Sequence, residues 1–231
     1  MKAVFFDAGG TLIHLDHARI AATMARVLGG PFDPEALAGA EYDGRAAVEA
    51  LIAGNGTGTD NERWSVHFRA MLGALGVGDA EFAAVAPAIR QEHLEHHLWS
   101  VVTPGTADAL ESLSRGGWVL GCISNADGHV AERLEAEGLL RHLRFVVDSG
   151  AVGIEKPDPR IFELALEQAA VRAADAYYVG DVYPIDCVGA QRAGMVPVLL
   201  DPLGRYGDRG CRTAPDVASF CRELVPLRDA A

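Results

Sequence analysis

The sequence predicts an α/β protein, a doubly wound, mainly parallel sheet that carries an inserted all-helical segment. Three observations lead there. Five short apolar runs are continuous rather than alternating, as strands covered on both faces are. Helical patterns lie between the last four runs, and that alternation builds parallel sheets. Residues 17–98 separate the first run from the rest and show helical patterns without a strand.

The expected strands are residues 2–6 (KAVFF), 118–123 (WVLGCI), 144–148 (RFVVD), 176–180 (AYYVG) and 196–200 (VPVLL). After the second comes HVAERLEAEGLL, with Val130 and Leu134 in helical register. After the third, DPRIFELALEQAA offers Asp158 as N-cap and Pro159 at the first helical position, with Phe162, Ala165, Leu166 and Ala169 on one face. A further helix spans Ile185 to Gly194.

Within the insertion, HARIAATMARVL aligns Ile20, Met24, Val27 and Leu28. DPEALAGAEYDGRAAVEALI opens on an Asp-Pro cap, and DNERWSVHFRAMLGAL gathers Trp64, Phe68, Met71, Leu72 and Leu75. The stretch GNGTGT (54–59) is expected to be a loop. The expected organisation is a core of residues 1–16 and 99–231 with a helical domain at 17–98.

Composition narrows the function. Apolar residues make up 49% and charged residues 23% of 231, an ordinary balance for a globular enzyme or binding protein. The formal charge is −12 and no basic cluster stands out, which argues against nucleic acid or an anionic membrane as partner. The four cysteines lack metal-like spacing and read as reduced, packed thiols. The apolar start is too short for a signal peptide and no run approaches a membrane span, so a cytoplasmic protein is expected. Oligomeric state is silent.

In an open parallel sheet, ligands bind beyond the carboxyl ends of the strands. Those ends carry Asp7, then Ser124-Asn125, then the loop GIEKPDP with Lys156, then Gly180-Asp181, with Asp186 five residues on. The only lysines in the chain are Lys2 and Lys156. Three carboxylates brought together repel one another unless cations sit among them. Lys156 supplies one positive charge, and a hard divalent ion such as Mg²⁺ suits the oxygen ligands. A metal, a lysine, a hydroxyl and backbone N–H groups together suit a phosphoryl group.

The motifs FDAGGTL, ISNA, EKPDP and GDVYPID, in this order, resemble the four motifs of the haloacid dehalogenase superfamily, a Rossmann-like fold, and the insertion resembles its mobile helical cap. The resemblance implies Asp7 as nucleophile, with Ser124 and Lys156 holding the transferred group. It implies Mg²⁺ on Asp7, Asp181 and the Gly9 carbonyl, with Asp186 in the metal's first or second shell. The loop residues Gly9, Gly10, Thr11 and Asn125 would then line the substrate, a small phosphorylated molecule.

One position departs from the pattern. Phosphatases of the superfamily carry a second aspartate two residues after the nucleophile, and this chain has Gly9. The missing group is the general acid/base, worth about 10²–10⁴-fold. Three readings follow. A Mg²⁺-dependent phosphatase could use a substrate with a good leaving group or recruit His14, Asp16, His17 or Asp127. A 2-haloacid dehalogenase needs no acid there, but that branch works without metal, and Asp181 and Asp186 speak for a cation. A binding or regulatory protein could retain the fold with weak catalysis. The phosphonate-cleaving branch needs a cap lysine, and residues 17–98 contain none. The HLEHH run (His93, His96, His97) reads as a solvated helix face, and Arg63, Trp64 and His67 could line the underside of the helical segment.

Overall fold

The computed structural model describes residues 2–55 and 59–225. Strand β1 (Ala3–Phe6) is fully buried, and a short strand β2 (His14–Leu15) follows. Four long helices come next: α1 (His17–Leu28), α2 (Pro34–Asn55), α3 (Asp60–Gly73) and α4 (Asp79–His96). Strand β3 (Trp99–Val101) pairs with β2, and the chain continues through α5 (Thr106–Arg115) and β4 (Val119–Ser124). Then come α6 (Val130–Ala136), β5 (Phe145–Asp148), α7 (Ser149–Val152), α8 (Pro159–Ala169) and β6 (Ala176–Gly180). The chain closes with α9 (Tyr183–Arg192), β7 (Val196–Leu200), β8 (Arg212–Ala214) and α10 (Val217–Leu224). No helix among the described residues is long and apolar enough to cross a membrane.

The main sheet has the order β5-β4-β1-β6-β7-β8, and every pairing in it is parallel. The chain winds outward from β1 in one direction through β4 and β5, then in the other through β6, β7 and β8. The order therefore reverses at β1, and strand ends beside such a reversal flank the crevice where ligands of doubly wound sheets bind. All five expected strands form, each within one residue of its expected bounds. Three strands escaped the sequence. Strands β2, β3 and β8 have two or three residues each, too few for an apolar run to register.

The helices beside the sheet follow from their caps. Asp158 accepts from the N–H of Arg160 and Pro159 opens α8, whose Ile161, Phe162 and Ala165 pack into the core under the sheet. Helix α9 begins at Tyr183, two residues before its expected start. Pro184 needs no N–H partner in a first turn, so the helix begins around it rather than after it.

By contact the chain divides into two compact units, Met1–His14 with Ser100–Ala231, and Leu15–Trp99. The second unit is helical and has its own core. Ile20, Met24, Leu37, Phe68, Met71, Leu72, Phe82, Val85 and Ile89 are buried there, with Val27, Leu28, Trp64 and Leu75 packed against them. Asp16 caps α1 by accepting from the Arg19 N–H at 2.8 Å. Thr59 and Glu62 form a reciprocal capping box at the start of α3. Part of the expected 54–59 loop is helical instead. Helix α2 runs through Gly54 to Asn55, because its packing on α3 outweighs the low helix propensity of glycine. Residues 56–58 lie outside the described residues.

Candidate active site

The loop after β1 turns within four residues. The N–H groups of Leu12 and Ile13 both donate to the Ala8 carbonyl, at 2.9 Å each, and the Gly10 N–H donates to Ile13 O at 2.8 Å. Gly10 has φ +83°, and a Cβ there would sit 2.2 Å from Asp181 Oδ2. Glycine at this position is thus required twice, by the backbone and by the carboxylate it admits. The sequence sets Gly10 along the expected substrate, and its N–H is a donor within the turn. The tight turn claims that donor, and the Thr11 N–H points back to Ala8 O at 3.3 Å. The Thr11 hydroxyl is buried without a protein partner.

Four strand ends meet here. Asp7, Asp181 and Asp186 are all buried, and each offers an oxygen within 4.8 Å of the others. Lys156, only 2% exposed, places its ammonium between Asp7 and Asp186. Nζ donates to Asp7 Oδ1 at 2.6 Å, to Asp186 Oδ1 at 2.8 Å and to the Tyr178 hydroxyl at 2.8 Å. Three N–H bonds and three acceptors leave no ammonium hydrogen over.

Asp186 is held from several sides. Oδ1 accepts from Lys156 and from the Tyr178 hydroxyl at 3.2 Å, and Oδ2 accepts the N–H groups of Asp181 and Val182 at 3.1 and 2.9 Å. Gly180 makes this approach feasible, since a Cβ there would lie 2.3 Å from Asp186 Cγ. Asp186 thus shapes the loop carrying Asp181 and holds Lys156.

Burial controls the charges. It pushes the Asp7 carboxyl up to about 6, with Lys156 pulling it back and Asp186 adding to the rise. Burial alone would depress Lys156, yet the Asp186 and Asp7 carboxylates hold it above the ordinary lysine range. The Tyr178 hydroxyl is raised well above its usual value, first by burial and then by Asp186 and Asp7, so it stays protonated.

Ser124 ends β4, buried beside Asp148 of β5 in the parallel register. The loop after it is tied down from the neighbouring strand. Asp148 accepts from the N–H groups of Gly128, Val130 and Gly150, and the Ser149 hydroxyl both accepts from Ala126 N and donates to Ala126 O. Asn125, a candidate to line the substrate, bonds the backbone of Lys156, donating to that residue's carbonyl at 2.9 Å and accepting its N–H at 2.7 Å.

The candidate replacements for a second acid have local partners. Asp16 caps α1, and His17 contacts Glu41 at 3.0 Å. Asp127 is exposed and paired with Arg133. His14 lies in β2, half-buried. The histidines of the HLEHH run serve the end of α4. His93 Nδ1 accepts the Leu98 N–H, and His97 Nδ1 contacts the Trp99 carbonyl. Trp64 stacks on Phe68 at 4.4 Å in the helical core.

Tyr178 and Asp148 were missed by sequence reading. A tyrosine inside a strand covered on both faces was the available signal, because a buried hydroxyl needs partners.

Comparison with known proteins identifies the family of the chain. A family model described as haloacid dehalogenase-like hydrolase matches residues 1–194. The human haloacid dehalogenase-like hydrolase domain-containing protein 3 is 34% identical over 221 residues, covering 89% of this chain and 86% of that protein. A ribulose-1,5-bisphosphate 5-phosphatase from Halopiger xanaduensis is 32% identical over 209 residues, covering 87% and 84%. The magnesium-bound crystal structure of the putative HAD-hydrolase YfnB from Bacillus subtilis superposes with a TM-score of 0.67 at 20% identity, covering 99% of this chain and 98% of that one. That last likeness is one of fold.

Proposed function

The chain belongs to the haloacid dehalogenase-like hydrolases, and from that premise we propose that it is a Mg²⁺-dependent phosphatase acting on a small phosphorylated metabolite through an aspartyl-phosphate. The observation that carries this reading is the Lys156 ammonium 2.6 Å from Asp7 Oδ1, inside a buried cluster of three carboxylates.

The donor set fits a hard cation. All the groups are oxygens, they are buried, and one lysine does not neutralise three carboxylates. Asp186 already accepts from Lys156 and from two backbone N–H groups, so Asp7 and Asp181, with the Gly9 carbonyl, are the residues that would hold Mg²⁺ directly, with Asp186 beside them. When bound, the ion adds positive charge beside the oxygens of the transferred group.

The rest falls to the protein. Asp7 Oδ2, the oxygen not bonded to Lys156, attacks phosphorus, the bond to the leaving oxygen breaks, and the phosphoryl group passes to Asp7. Lys156 holds the nucleophile's other oxygen, orienting the carboxylate and offsetting charge as the group arrives. The Ser124 hydroxyl, at the neighbouring strand end, holds the group in transit. Water then attacks phosphorus, inorganic phosphate leaves and Asp7 is regenerated. Because Gly9 brings no acid, a leaving group that departs without protonation reacts fastest. Substrate choice would fall to residues of the helical unit, the segment that resembles a cap. The phosphatase-named relative in Halopiger supports a phosphorylated substrate.

The test is a panel of phosphorylated metabolites and 2-haloacids, each with and without Mg²⁺, run on the wild type and on Asp7→Asn. Phosphate release that needs Mg²⁺ and vanishes in Asp7→Asn is the expected result. Metal-free halide release would replace the reading with a dehalogenase, which Gly9 also suits. Mg²⁺ binding without turnover on either class would make the chain a binding protein.

A further inference from the structure

We propose that Tyr178 is a positioning residue whose hydroxyl fixes the Lys156 ammonium on Asp7; the kinetic consequence rests on the phosphatase reading above, the geometric one does not. The hydroxyl is the single uncharged group among the three acceptors of the ammonium. It takes one N–H from Lys156 at 2.8 Å, and its own hydrogen faces the Ile123 carbonyl at 3.0 Å and Asp186 Oδ1 at 3.2 Å. Ile123 immediately precedes Ser124 on β4. One phenol oxygen therefore ties together the ends of β4 and β6, the lysine loop and the first turn of α9.

The ring cannot turn away from this duty. Tyr178 pairs with Phe5 in the register of β6 against β1, so it stands in the middle of the sheet, with none of its surface exposed. Phe162 of α8 meets the ring edge-on, with centroids 4.9 Å apart at 81°. Phe162 in turn lies against the backbone of α9 at Gly189, where a Cβ would come within 2.7 Å of its ring. Packing thus sets the position of the hydroxyl independently of the charges it serves.

The consequence concerns direction. Two carboxylates alone would leave the flexible lysine stem a choice of arrangements between Asp7 and Asp186. A third, immobile acceptor converts that choice into one fixed ammonium orientation, with one hydrogen aimed at Asp7. Loss of the hydroxyl leaves an ammonium hydrogen without an acceptor in a site that is 2% exposed, so the group reorients.

The chain's two lysines make this directly observable. With ¹⁵N-lysine labelling, the spectrum holds two side-chain ammonium signals, Lys156 protected from solvent exchange and Lys2 as internal reference. In Tyr178→Phe the Lys156 hydrogens are expected to exchange at least tenfold faster and the signal to shift, with Lys2 unchanged. Exchange within twofold of wild type would overturn the proposal. Should Tyr178→Phe fail to fold, 3-fluorotyrosine incorporated into the wild-type chain weakens the hydroxyl as acceptor without changing its shape. A Lys156 resonance that then stays in place overturns the proposal as well. With a phosphorylated substrate from the panel, Tyr178→Phe is expected to lower kcat by about 10–100-fold with KM within twofold. A rise in KM at unchanged kcat would contradict positioning of the nucleophile. If no substrate turns over, the phosphatase reading fails while the exchange measurement still decides the role of Tyr178.

Discussion

Asn125 grips the backbone of Lys156 with both ends of its amide, donating to the carbonyl at 2.9 Å and accepting the N–H at 2.7 Å. The residues lie 31 positions apart, on the loops that follow β4 and β5 and α7. The pair converts two flexible loops into one rigid edge, so the lysine starts from a fixed backbone before its side chain reaches the carboxylates.

Asn125→Ala removes both bonds. At about 1 kcal/mol net for each, the variant is expected to lose roughly 2 kcal/mol of unfolding free energy in urea titration. Phosphate release should fall at least tenfold at saturating Mg²⁺, because the base of the lysine loosens. Unchanged turnover with the expected stability loss would separate the Asn125 clamp from the chemistry.

Gly10→Ala places a methyl group on the carboxylate of Asp181 and forces a side chain into φ +83°. A matched control is Gly29→Ala in the helical unit, with φ +78° and open space around it. Both force a side chain to positive φ at a cost in stability, but only Gly10→Ala displaces Asp181. Calorimetric titration should show Mg²⁺ binding at least tenfold weaker in Gly10→Ala and unchanged in Gly29→Ala.

Gly9→Asp supplies the carboxyl that the turn lacks. If a proton donor is what limits turnover, alkyl phosphates should gain about 10²–10⁴-fold in kcat/KM. Aryl phosphates, whose leaving groups depart unprotonated, should gain little. Equal gains on both classes would place the limitation elsewhere.

His67 lies in the helical unit against Gly44, its Nε2 buried without a protein partner, and burial pushes its pKa down to about 4. The unfolded chain binds a proton near pH 6.5 that the folded chain refuses until pH 4. Stability from this group is therefore complete above pH 6.5 and is lost as pH falls through that window, by roughly 3 kcal/mol. Glu41, held below its ordinary range by Arg45 and His17 against the effect of burial, loses its contribution only below the usual carboxylate pKa. In denaturant melts between pH 7 and 4.5, His67→Gln should flatten the dependence that the wild type shows.

Much of the architecture was legible in the chain itself. Strands β1 and β4 are buried throughout, and β5, β6 and β7 over part or most of their length, so their side chains form largely apolar runs that survive in one dimension. Asp158-Pro159 marked α8 because capping is local chemistry between neighbours. The order of Asp7, Ser124, Lys156 and Asp181 was readable because a parallel sheet sends every strand end to the same edge.

What only the tertiary structure decided is how each polar atom at that edge is spent. Asn125 serves Lys156, the Gly10 N–H its own loop, and Asp186 both Lys156 and the N–H groups beside Asp181, while Tyr178 looked like one more apolar strand position. Sequence records which residue types arrive at a place, through periodicity and local capping. A hydrogen bond depends on the direction of two atoms brought together across 22, 31 or 149 positions, as in the bonds that hold Lys156, and that direction exists only once the sheet has formed.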